Sequence, residues 1–194
     1  MKRETTFQRI TNETEIQGKL NLDGSGIRKI KTGIGFLDHM LELWTFHGEF
    51  DLELTCKGDL HVCPHHSIED IAITLGEAFQ KALGERKGIE RYATCYLPMD
   101  ETLSRTVIDI SGRPVHLFHA QFHTPVIGTF PTEMVSHFFY SFTINAGITL
   151  HQEILYGSND HHKAESLFKG LAKALQQGVR IKSGETVPST KGIL

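Results

Sequence analysis

A chain of 194 residues, 39% of them hydrophobic, has the length and apolar content for one domain, or two intimately packed halves, around a real core. Its formal charge of −3, its pI near 6.4 and the lack of a basic stripe argue against nucleic-acid or anionic-membrane partners. No apolar run approaches the roughly 20 residues of a membrane span, and Met1 to Thr6 lacks the apolar core of a signal peptide, so a cytosolic protein is expected. Cys56, Cys63 and Cys95 are odd in number and make no CxxC pair, which argues against a disulfide scaffold. Cys63 lies beside a histidine doublet, but no second cysteine has the spacing of a thiolate zinc site.

In chain order, Thr5 to Leu22 alternates polar and apolar residues and ends in the turn signal Asn21-Leu22-Asp23-Gly24-Ser25-Gly26, which predicts one strand, a turn and a second strand near Ile27 to Ile30. Glu13 falls inside the first segment, where a strand would project it to one side; spacing alone leaves it as a solvated residue or a functional one. Gly33 to Phe46 reads as a glycine-punctuated entry into an apolar helix carrying His39, and Phe50 to Cys56 as a strand. A helix follows, opened by His65-His66 and running to about Leu83. After a polar break at residues 84–88, strands are expected at Tyr92 to Pro98, Leu103 to Ile110 and Pro114 to Phe118, the first two joined at Met99-Asp100-Glu101. Phe130 to Phe142 reads as a helix containing His137, Ile148 to Leu155 as a strand, and the segment behind His161-His162 as the last helix. The tail from Lys182 to Gly192 is loop-like.

The apolar positions of the two doublet helices, Ile68, Ile71 and Phe79 against Ala164, Leu167 and Leu175, superimpose at a single shift of 96 residues. His39 and His137 differ by 98. The inference is an internal repeat of class α+β, each half a small mixed sheet covered by two helices, with halves 1–90 and 91–194 forming a single domain.

On a helix, His65 and Glu69 lie on one face, as do His161 and Glu165, so each pair could hold one metal ion. The neighbouring histidine of each doublet is turned away by about 100° and must serve elsewhere. A symmetric division groups His65, Glu69, His137 and His162 in one site and His161, Glu165, His39 and His66 in the other. Doublet histidines exchanging partners, or ligands drawn from different subunits, would also satisfy the spacing. Imidazole and carboxylate without thiolate suit Mn, Fe, Co or Zn, with positions left open for substrate. The order is neither that of zinc peptidase helices nor that of di-iron bundles. The other six histidines, His47, His61, His116, His119, His123 and His151, read as surface or packing residues.

Taken together, RITNET, GIGFLDHML, HHSIED and DHHKAES resemble the imidazoleglycerol-phosphate dehydratase family over nearly the whole chain. Leu43 departs from the pattern, standing where some relatives have an amide. The resemblance implies a duplicated α+β unit, the fold shared with the second domain of a small-subunit ribosomal protein, and a hydro-lyase of histidine biosynthesis. It implies two Mn²⁺ per active site, a homo-oligomer of 24 subunits with active sites between subunits, and no phosphatase domain such as some relatives carry. The implied reaction converts D-erythro-imidazole glycerol phosphate to imidazole acetol phosphate plus water through a metal-bridged imidazolate. Two metals on the ring nitrogens would lower the N–H pKa, letting the ring supply the electrons that expel hydroxide.

By matched position, Glu13 is the implied base, since Glu69 and Glu165 serve as ligands. Arg91, Arg113, Lys169, Ser189 and Lys191 are the implied phosphate partners, with Arg105 weaker. Two rivals remain at this stage: a His-rich metal-storage or metal-sensing protein, which needs neither a spare carboxylate nor a phosphate pocket, and a two-metal hydrolase.

Overall fold

The computed structural model describes residues 2–182, 184 and 186–194. The first half runs β1 (Glu4–Ile10), β2 (Thr14–Asn21), β3 (Arg28–Lys31), α1 (Gly35–Gly48), β4 (Asp51–Gly58) and α2 (His65–Leu83). The second runs β5 (Tyr92–Met99), β6 (Thr102–Asp109), β7 (Val115–His119), a small hairpin of β8 (Val126–Ile127) and β9 (Phe130–Pro131), α3 (Glu133–Ala146), β10 (Thr149–Tyr156) and α4 (Asp160–Gly178). The sheets have orders β1-β2-β4-β3 and β5-β6-β10-β7, the same topology written twice. In each, two antiparallel pairs are followed by one parallel pair, β3 with β4 and β7 with β10. A parallel neighbour needs a crossover, and α1 and α3 supply it.

Two expectations are corrected. The segment from Thr5 to Leu22 is a hairpin of two strands, because the Thr11 hydroxyl oxygen accepts from the N–H groups of Glu13 (3.1 Å) and Thr14 (2.9 Å) and closes a turn. Glu13 therefore stands on a hairpin tip, outside the strand ladder. The helix expected from Phe130 begins only at Glu133. Phe130 and Pro131 pair with Val126 and Ile127, and the Thr132 hydroxyl donates to the Thr124 carbonyl at 2.6 Å. A residue before proline is disfavoured in the α region, which keeps Phe130 extended.

Alternation along the strands buries one face of each sheet: Ile16, Leu20, Leu52 and Leu54 in the first, Ser104, Thr106, Ile108 and Leu150 in the second. Helix α2 lies on β1 and β2, and α4 on β5 and β6. Across the halves α2 packs on α3 and α1 on α4, so helices of both halves share one core. Phe138, Phe139 and Phe168 fill part of it, with ring centroids 4.6–5.8 Å apart. Gly76 of α2 admits α3 closely, since a Cβ there would stand 2.6 Å from the Phe142 carbonyl oxygen. Among the described residues no helix is long and apolar enough to cross a membrane.

His116, on the inner face of β7, has a half-buried ring whose Nε2 finds no partner, and burial pushes its pKa down to about 4 from the ordinary 6.5. The unfolded chain binds this proton more readily than the folded one, so stability falls as the pH drops from about 6.5 toward 4. Denaturant titrations at stepped pH should show that slope, and His116→Leu should flatten it.

Candidate metal centres

The cross-half packing of helices assembles two clusters. Helix α1 brings His39 to His161 and Glu165 at the head of α4, and α3 brings His137 to His65 and Glu69 at the head of α2. His39 Nε2 and His161 Nε2 stand 3.4 and 3.1 Å from Glu165 Oε2. In the other set, His65 Nε2 lies 3.7 Å from Glu69 Oε2, and His137 Nε2 3.1 Å from Glu69 Oε1. Ligand bonds of about 2.1 Å at right angles would put donor atoms roughly 3 Å apart, so both sets have the spacing of a half-built coordination shell. His137 Nε2 is buried without a hydrogen-bond partner, as a ligand atom facing a cation would be.

Local sequence explains the placement. Helical spacing puts each doublet's first histidine one turn from its glutamate. At α4 the Asn159 side chain caps the helix, its oxygen accepting from the backbone N–H groups of His161 (2.9 Å) and His162 (3.2 Å). Burial raises the cost of the Glu165 charge, but Lys169, which pairs directly with it, and His161 outweigh that and hold its carboxyl below the ordinary value.

Of each four residues grouped from spacing, three stand together: His65, Glu69 and His137 in one set, His39, His161 and Glu165 in the other. His66 and His162 do not join those clusters within one chain, because their rings turn from those of His65 and His161, with centroids 6.2 and 6.1 Å apart. His66 Nδ1 faces Asp59 Oδ2 at 3.0 Å, and its Nε2 lies 3.7 Å from Glu13 Oε1. His162 repeats this with Glu101 Oε2 at 2.7 Å from Nδ1 and Asp100 Oδ2 at 3.7 Å from Nε2. The hydrogen bonds to Asp59 and to Glu101 raise the pKa of His66 and His162 respectively. The N–H of Asn159, then His162, hold the Glu101 carboxyl well below its ordinary value. Asp59, Asp100 and Glu101 were not singled out from sequence. The signal that could have found Asp100 and Glu101 is the recurrence of an acidic residue at both hairpin tips, Glu13 in one half and Asp100 in the other; Asp59, which follows β4, has no such counterpart in the second half.

Of the expected phosphate partners, Arg91, Arg113, Ser189 and Lys191 line one cleft of about 560 Å³. Arg91 is buried; its guanidinium donates to both Asp109 oxygens (2.7 and 3.2 Å) and to the Pro188 carbonyl (2.8 Å), tying the tail to the β5–β6 ladder. Arg113 is exposed and 3.8 Å from the same carboxylate, so Arg91 and Arg113 share Asp109. Lys169 is not in that cleft but against Glu165, and Arg105 is held on the outer face of the second sheet by Glu153 at 2.5 Å.

The profile described as imidazoleglycerol-phosphate dehydratase matches residues 32–175. That span holds both clusters. The chain belongs to the imidazoleglycerol-phosphate dehydratase family. It is 54% identical over 188 residues to the imidazoleglycerol-phosphate dehydratase of Clostridium botulinum, covering 97% of this chain and 96% of the relative. It is 55% identical to that of Methylorubrum populi, covering 99% and 100%. Among solved structures, the dehydratase of Staphylococcus aureus superposes with a TM-score of 0.81 at 37% identity, covering 92% of this chain and all of that one. The Pyrococcus furiosus enzyme also gives 0.81, at 35% identity, with 96% and 99% covered. As a member of this dehydratase family the chain is an enzyme acting on a small phosphorylated substrate, with the α+β architecture of these neighbours.

Proposed function

We propose that the two clusters hold two Mn²⁺ and that the enzyme removes water from D-erythro-imidazole glycerol phosphate to give imidazole acetol phosphate, a step of histidine biosynthesis in the cytoplasm. The observation that carries this is the pairing of two similar His-His-Glu sets, each built from both halves of the chain. Their all-nitrogen-and-oxygen donors suit manganese, and three protein ligands leave positions open. His66 and His162 complete the sets from neighbouring copies, in a homo-oligomer that the family resemblance puts at 24 subunits. The single domain is then two similar halves, 1–90 and 91–194, with the sites between subunits.

When bound, the cations supply Lewis acidity that favours loss of the substrate's imidazole N–H proton. The chain's own groups do the rest. Glu13, free of the ladder and uncommitted as a ligand, takes the proton from the carbon next to the one losing its hydroxyl, and the resulting enol becomes the ketone. Arg113, Lys191, Ser189 and Arg91 hold the phosphate, so that remote binding orients the reacting carbons.

Protein dialysed against chelator should lose ketone formation and regain it with MnCl₂; manganese uptake without turnover would instead indicate a storage protein. Arg113→Ala should raise KM about ten- to a hundred-fold with kcat less affected, since it removes charge-assisted bonds to a non-reacting group. Steady-state kinetics on the Mn-loaded enzyme check this.

A further inference from the structure

Within one chain the Nε2 atoms of His66 and His162 are unclaimed, since the nearest carboxylate oxygens, of Glu13 and Asp100, are both at 3.7 Å, beyond hydrogen-bond reach. Their Nδ1 atoms, by contrast, are held at 3.0 and 2.7 Å. We infer that Asp59 and Glu101 are positioning residues for the metal centres, each accepting the Nδ1–H of one doublet histidine and so presenting that ring's Nε2 lone pair as a ligand. The inference rests on the reading that His66 and His162 are the fourth ligands. A carboxylate only accepts, so the nitrogen facing it must carry the hydrogen, and a neutral imidazole then has its lone pair on the other nitrogen.

Two features set these contacts apart from chance ion pairs. The carboxylates come from non-equivalent places: Asp59 follows the last residue of β4, whereas Gly157 holds the matching position after β10, and Glu101 belongs to the β5–β6 connection. The repeat did not copy this arrangement from one half to the other; the same geometry was reached twice. Both carboxylates are also held in place. Glu101 Oε1 accepts from the N–H groups of Ser158 (3.0 Å) and Asn159 (2.8 Å), which leaves Oε2 for His162. Asp59 is fixed through its backbone, its N–H donating to the Glu13 carbonyl at 3.1 Å and its carbonyl accepting from Val62 at 2.8 Å.

The two isosteric amides should behave oppositely. Asp59→Asn keeps an oxygen toward Nδ1, because Asp59 Oδ1, the place its NH₂ would take, has no partner in any case. In Glu101→Gln the one oxygen stays with Ser158 and Asn159, so the NH₂ turns to Nδ1 and drives the ring hydrogen onto Nε2. Chelator-stripped full-length protein is titrated with MnCl₂, with free Mn²⁺ read by paramagnetic resonance and the metal-free melting temperature measured in parallel. Glu101→Gln and Asp59→Ala should weaken one class of site by about 10–100-fold with little change in that temperature, and Asp59→Asn should bind as the unaltered protein does.

Unchanged affinity in Glu101→Gln and Asp59→Ala, alongside weakened binding in His66→Ala and His162→Ala, overturns the positioning role alone. Equal weakening in Asp59→Asn and Asp59→Ala also overturns it, because charge and not tautomer would then matter. If His66→Ala and His162→Ala bind manganese normally, the ligand reading fails and takes the inference with it. Should Asp59→Ala fail to fold, the contrast between Asp59→Asn and Glu101→Gln decides.

Discussion

Glu13→Gln should lower kcat by about 10²–10⁴-fold while leaving manganese content and melting temperature as they are. The expectation follows from where the residue stands. Glu13 lies on the β1–β2 tip with its side chain half exposed, and its backbone ties it to the fold, the N–H donating to the Thr11 hydroxyl and the carbonyl accepting from Asp59. An amide of the same shape keeps both contacts but cannot take a proton at neutral pH. Glu13→Asp should keep part of the rate, since the base survives but is drawn back by one methylene. Equal turnover in the glutamine variant, at equal metal content, would remove Glu13 from the reaction.

The second large effect is structural and reaches only one centre. Gly76→Val places a branched side chain where even a Cβ would stand 2.6 Å from the Phe142 carbonyl oxygen and 3.0 Å from the Ala146 nitrogen. Both are backbone atoms of α3 and cannot swing aside, so α3 must move off α2 at a cost of about 1–3 kcal/mol. His137 rides on α3, while His65 and Glu69 ride on α2, so their cluster opens. His39, His161 and Glu165 are carried by α1 and α4 and stay together. The expected result is a lowered melting temperature and about one tightly held manganese per chain in place of two, read by elemental analysis after gel filtration. Loss of both ions together would show that the centres are not independent.

Much of the site was legible because its spacing is local. A histidine and a glutamate four residues apart share a helix face wherever the helix goes, and the doublet and its amphipathic helix recur at one shift in the second half. The phosphate cleft was legible only in part. Arg91, Arg113, Ser189 and Lys191 converge, but Lys169, on the α4 face that carries Glu165, meets that carboxylate as its i, i+4 neighbour. The hairpin break at Thr11 shows in the sequence only as the polar run Thr11 to Glu15 without a glycine or proline, and the turn depends on a hydroxyl that two backbone N–H groups reach only when the chain reverses.

By itself the amino-acid order determined the repeat and the helix and strand types of most elements, and it picked out the six histidines and two glutamates proposed as ligands. All of these follow from periodicities of two and 3.6 residues and need no knowledge of distant neighbours. The tertiary structure decided that α1 meets α4 and α2 meets α3, and so which histidine joins which pair. It also set Asp59 and Glu101 behind the remaining two imidazoles. These are contacts between residues far apart in the chain, chosen by the fit of packed surfaces such as Gly76 against α3, and side-chain periodicity carries no record of them.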